Sequence, residues 1–196
     1  MAFITHVSKK MVSGRWLLLS LCLGLQCVGT TAFADGFSVR SASTRLHDDV
    51  YMLDANIALE FGEKPLEALH NGIPLTLLIE IEVERKRGWW LDDEIAFLEQ
   101  RYKIEYHALS HQYLLTNMNS GERTVSPRLE PLLHAIGTIY DFPLLDRNLT
   151  EQEGRYEVAI RALLDIEELP APLRPIAYIT PSWRIRSDWH KWFLTP

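Results

Sequence analysis

The chain has 196 residues, of which 20 are Lys or Arg and 26 are Asp or Glu, giving a formal net charge of −6 with neutral histidines. With 47% hydrophobic side chains, that length can bury a real core. The acidic balance argues against general nucleic-acid binding and against a polybasic membrane patch.

The opening "MAFITHVSKKMVSGRWLLLSLCLGLQCVGTTAFADG" has the layout of a secretory signal peptide. Lys9, Lys10 and Arg15 form a basic leader, an apolar run extends from Trp16 to Val28, and Ala32-Phe33-Ala34 offers a cleavage site after Ala34. The run is shorter than the roughly 20 residues a bilayer-spanning helix needs. Cys22 follows Leu21 and Cys27 follows Gln26, whereas a lipidated cysteine normally follows a small residue. The expectation is a periplasmic protein made of a leader, 1–34, and a single β-rich domain, 35–196. Removing the leader leaves 162 residues with 17 basic and 26 acidic side chains, a charge of about −9, and no cysteine. Disulfides, thiol catalysis and thiolate metal sites are then excluded.

Beyond the leader the dominant period is two, the mark of half-buried strands. "FSVRSASTRL" is a weak first strand, and "HDD" a turn. In "DVYMLDANIALEF", Tyr51, Leu53, Ala55, Ile57, Leu59 and Phe61 share one face, with Asp54, Asn56 and Glu60 opposite. "KPLEALHNG" predicts a short helix, with proline near its start and Gly72 just past its end. "IPLTLLIEIEVERKRG" predicts a strand with Leu75, Leu77, Ile79, Ile81 and Val83 inward and Thr76, Glu80, Glu82 and Glu84 on a solvated face, paired with arginines such as Arg161 or Arg184. "YKIEYHAL" and "QYLLTN" are two further strands, and "NMNSGE" a turn. "SPRLEPLLHAIGTI" predicts a helix capped by Ser126, with Pro127 at its first position. "DFPLLDRNLTEQEG" reads as an ordered crossover, "RYEVAIRALLDIEE" as a strand, and "APLRPIAYI" as a helical turn. "WRIRSDWHKWFL" closes the chain as a strand with Trp183, Ile185, Trp189 and Phe193 inward and Trp192 pointing the other way. Together these elements predict a mainly β chain. It is an antiparallel β-sandwich, immunoglobulin-like as one option, with two or three short helices in its connections; an open β-barrel is the alternative.

The segment "YHALSHQY" places His107 and His111 four residues apart. A helix would bring both imidazoles to one ion, but on a continuous strand they lie about 13 Å apart. A tight hairpin at Leu109-Ser110 would bring them closer, though it lacks the Gly, Asn or Asp that two-residue loops prefer. A metal site using His107, His111, Asp92 and Asp93 therefore stands as a minor alternative. Asp92, Asp93 and Glu94 read first as a turn or helix start. Glu80, Glu82 and Glu84 recur at about 7 Å intervals, too widely spread for one cation. Ser110, Ser120, Ser126 and Ser182 lack a nucleophile-elbow context, and there is no glycine-rich phosphate loop. No cofactor is expected.

The segments "VYMLDANIALEF", "GIPLTLLIEIEVERKRGWW", "RYKIEYHALSHQY" and "SWRIRSDWHKWFL" resemble an uncharacterised family of small exported proteobacterial proteins, grouped as a domain of unknown function. The likeness runs over nearly all of the chain after the leader. Its marks are Trp89-Trp90, Tyr106-His107-Ala108-Leu109 with Gln112-Tyr113, and the final tryptophan-rich strand. Genes of this family often lie near a nitrogen-regulation-type sensor histidine kinase, so the resemblance implies such a kinase as a signalling partner. It implies no catalytic residues.

The expected function is a non-enzymatic periplasmic protein-interaction module acting on an envelope protein such as a sensor kinase. Its binding surface is expected at Trp89, Trp90, Tyr106, Tyr113, Arg184 and Trp192, because tryptophan, tyrosine and arginine most often anchor protein contacts. Contact with a membrane surface is compatible with exposed tryptophan. The alternatives are an envelope metal-dependent hydrolase and a carrier of an apolar ligand such as a lipid.

Overall fold

The computed structural model describes residues 36–88, 92–150 and 154–194. The expected leader, its cleavage site and the pair Trp89-Trp90 lie outside these residues.

Strands β1 (Phe37–His47) and β2 (Val50–Leu59) form the first hairpin. Its two-residue turn places Asp48 at φ 48° and Asp49 at φ 63°, the left-handed pair that a type I′ turn requires and that aspartate tolerates. After helix α1 (Glu63–His70), a meander runs through β3 (Leu75–Arg85), β4 (Asp93–His107), β5 (Gln112–Asn117) and β6 (Arg123–Ser126). Helix α2 (Glu130–Gly137) leads into β7 (Thr138–Asp146), which returns to pair with β2. The chain then crosses back through β8 (Tyr156–Leu164), α3 (Arg174–Ile179) and β9 (His190–Phe193). The result is a three-stranded sheet, β1-β2-β7, and a six-stranded sheet, β6-β5-β4-β3-β8-β9, with every pairing antiparallel.

The inner faces of both sheets share one core, as in a β-sandwich. The period-two residues supply it: Leu53 and Ile57 from β2, Ile79 and Val83 from β3, and Val158 and Ile160 from β8 are at most 4% exposed. Burying each such side chain contributes about 1.5–3 kcal/mol before conformational entropy is charged. The neighbours β2–β7 and the order β5-β4-β3-β8-β9 follow the B–E and C″-C′-C-F-G order of variable-type immunoglobulin sandwiches. The strand order is thus compatible with the immunoglobulin-like option, without its cysteine pair.

The structure departs from the sequence-based expectations at several points. Part of the expected crossover is strand β7, which carries Pro143 at a sheet edge where a missing N–H is tolerated. Of the stretch expected as a turn or helix start, Asp93 and Glu94 open the 15-residue β4, while Asp92 precedes it and accepts from the Arg87 N–H. Ser126 ends β6, where its hydroxyl accepts from Arg128 N–H and donates to Arg128 C=O, so α2 begins only at Glu130. Thr76 and Glu80 are 6% and 8% exposed, so the far face of β3 is covered at its centre rather than solvated.

The last strand is reversed in phase. Leu163 pairs with Arg186 and Ile160 with His190, so three steps along β8 match four along the C-terminal segment. One extra residue flips every side chain beyond it. Trp192 therefore faces inward opposite Val158, while Phe193 faces outward, 41% exposed.

Candidate functional site

Two surface clefts gather most of the chemistry that is not consumed in the core. The first forms where β5, the end of α1 and the start of α2 meet. Tyr106 and Tyr113 are directly paired across β4 and β5, with ring centroids 4.8 Å apart. His70, in the last turn of α1, covers both. Its ring lies 5.1 Å from that of Tyr106, and its Nε2 shares a 2.7 Å hydrogen bond with the Tyr113 hydroxyl. Burial, then the neighbouring Tyr106 and Glu130, raises the Tyr113 pKa, so its hydroxyl stays protonated across the neutral range. A cleft of about 510 Å³ opens beside His70 and Tyr113, floored by Leu59, Phe61 and Leu129 and rimmed by Glu60, Arg128 and Glu130.

The second cleft, about 520 Å³, lies against the end of β8 and the C-terminal segment. Its walls are Leu163, Ile166, Tyr178, Pro181 and Ile185, with Arg184 and Arg186 among them. Both arginines are exposed, and neither forms an ion pair or hydrogen bond through its side chain among the described residues. Tyr178 of α3, which lines the cleft with them, is 50% exposed, and the same helix exposes Ile176 (53%) and Ile179 (78%). Arg186 also sits on the open edge of the six-stranded sheet, because the segment leading into β9 pairs with β8 on one side only.

The structure thus brings Tyr106 and Tyr113 together and leaves Arg184 accessible. Trp192 is different. It packs against the core, and its indole N–H donates to the Thr44 hydroxyl of β1 at 3.1 Å, so it bridges the two sheets instead of offering an exposed anchor. Trp89 and Trp90 lie outside the described residues.

The four residues of the metal alternative are scattered. His107 is the last residue of β4 and is exposed. His111 sits in the hairpin loop at φ 53°, with its Nδ1 3.1 Å from the Tyr106 hydroxyl. Asp93 is at the far end of β4 from His107, about 45 Å away along a 15-residue strand. There Asp93 pairs with Arg85 and Arg87, and Asp92 with Lys86 at 2.8 Å. Among the described residues no three His, Cys, Asp or Glu side chains group as a metal centre requires.

Sequence reasoning missed His70, Glu60, Arg128 and Glu130. His70 and Tyr113 are 43 positions apart, so no local pattern joins them. The available signal was a histidine in the last turn of a predicted helix, a favourable place for a polar side chain to project.

Residues 34–193 match the family model described as "Domain of unknown function (DUF4390)". No curated protein and no solved structure matches the chain.

Proposed function

We propose that this chain, which belongs to the DUF4390 family of domains of unknown function, is a non-enzymatic protein-interaction module of the periplasm. The observation that supports this reading is the Arg184–Arg186 couple at the mouth of an apolar cleft, unpaired among the described residues. Among the described residues, ten other lysines and arginines are engaged in ion pairs, from Arg45 to Lys191. Two such guanidiniums beside Tyr178 and Ile166 suit a partner that offers carboxylates next to apolar side chains.

The open sheet edge supplies a docking mode. An extended acidic segment added along β9 would gain backbone hydrogen bonds and pass Arg186 and Lys191. Those same cations discourage the edge from pairing with another copy of this chain. The envelope-facing region of a sensor histidine kinase is the first partner to test. The experiment is in-cell crosslinking of the tagged chain with and without charge reversal at Arg184 and Arg186. A membrane surface in place of a protein would appear as crosslinks to lipid alone.

A further inference from the structure

The first cleft shares no lining residue with the arginine cleft and calls for an occupant of its own. Its floor is made by core side chains: Leu59, Phe61 and Leu129 are 7–8% exposed. It adjoins a smaller hollow of about 290 Å³, and Glu60 and Glu130 line both. Arg128 lines only the larger one. Glu60, Arg128 and Glu130 are exposed, and none makes an ion pair or a side-chain hydrogen bond among the described residues. The cleft is therefore apolar at its base, carries Glu60 and Glu130 on the boundary it shares with the hollow that Arg40 also lines, and has Arg128 to itself. Its volume lies within the range typical of small-molecule sites.

We propose that this cleft binds an apolar zwitterion of amino-acid or dipeptide size. Its ammonium group would sit at Glu60 and Glu130, its carboxylate at Arg128, and its side chains on the Leu59–Phe61–Leu129 floor. The alternatives fit less well. A neutral lipid covering the cleft would strip water from three charged groups and return no partner to them. A simple anion would face the two carboxylates that line the cleft together with Arg128. The Tyr113 hydroxyl, fixed by His70 and backed by Tyr106, adds a rigid polar contact that costs little ordering entropy.

The test is calorimetric titration of the purified protein with the dipeptide Leu-Leu, beside N-acetyl-Leu-Leu and Leu-Leu amide. The expected result is saturable one-to-one binding of Leu-Leu, weakened about tenfold or more by either cap. Glu130→Gln should weaken binding of Leu-Leu and of its amide but leave the acetylated peptide little changed. Arg128→Gln should remove the preference for the free carboxylate. Both substitutions are on exposed side chains, and circular dichroism verifies that each variant folds. No binding of Leu-Leu up to about 10 mM, or equal binding of all three peptides, overturns the proposal.

Discussion

The indole N–H of Trp192, on the last strand, donates to the hydroxyl of Thr44, on the first, at 3.1 Å. The bond ties the edge strand of the six-stranded sheet to the edge strand of the other sheet and closes one side of the sandwich. Trp192→Phe keeps most of the packing and should cost about 1 kcal/mol, the usual worth of one hydrogen bond. Trp192→Ala should cost about 3 kcal/mol. Urea denaturation measures both. A Trp192→Phe variant as stable as the parent would show that the bond contributes nothing.

On the far face of β3, Glu80 is 8% exposed and receives a hydrogen bond from Arg161 Nε. The same guanidinium lies 4.3 Å over the Trp189 ring. Arg161→Met leaves a nearly buried carboxylate without its partner and should destabilise by about 3 kcal/mol. The double variant Arg161→Met with Glu80→Leu should recover most of that loss. Additive costs from the two single changes would contradict the pairing.

Glu82 has an unusual pH signature. Burial first, then Glu84 and Glu80, push its pKa up, although Arg161 and Lys191 pull the other way. A carboxyl with a raised folded pKa favours the fold fully below its unfolded pKa, about 4.3, and loses that contribution as pH rises through the folded value. Glu82→Gln should therefore be more stable than the parent at pH 7, by less than about 1 kcal/mol, and equal to it below about pH 4. Glu157 has the opposite sign. Burial raises its pKa, but hydrogen bonds from Lys86 and Lys191 more than offset this and leave it lowered. Its contribution is present above the unfolded pKa and is lost as pH falls. Denaturation midpoints across about pH 3–8, taken for the parent and Glu82→Gln together, separate the two effects. A stability gap between the two proteins that widens toward acid would contradict a raised Glu82 pKa.

Gly137 closes α2 against β2, where an added Cβ would lie 2.1 Å from the Ile57 carbonyl oxygen. Backbone cannot yield as a flexible side chain does. Gly137→Ala should cost about 2–3 kcal/mol and shift α2 off the sheet. Thermal unfolding measures the loss, and no change in midpoint would mean that the helix moves freely.

What the sequence conveyed depended on how local each signal was. The alternating faces of β2, β3 and β8 were legible because period two is written residue by residue, and the structure buries those faces. Strand β7 was hidden by Pro143 and by the helical pattern that runs into it. The direction of Trp192 was lost to one extra residue between Arg186 and His190, and no single sequence announces such a bulge. Tyr106 and Tyr113 stood out as residues of a type that anchors protein contacts, and the hairpin that pairs them came only with the fold. His70 and Glu130 join them only through the tertiary fold, as residues from two helices on either side of the meander. Arg184 was singled out as a side chain that anchors protein contacts, but that it and Arg186 share a cleft and lack partners among the described residues is a property of the packed chain.

The most direct test of the interaction reading is crosslinking in intact cells. The tagged full-length chain, expressed in cells, would carry a photoreactive residue in place of Tyr178, beside Arg184 and Arg186. One reproducible envelope protein should attach to the parent chain and be lost when both arginines become glutamate, with the variant's stability within about 0.5 kcal/mol of the parent. The same partner captured undiminished by the charge-reversed chain, or no protein captured by either, would contradict the interaction reading.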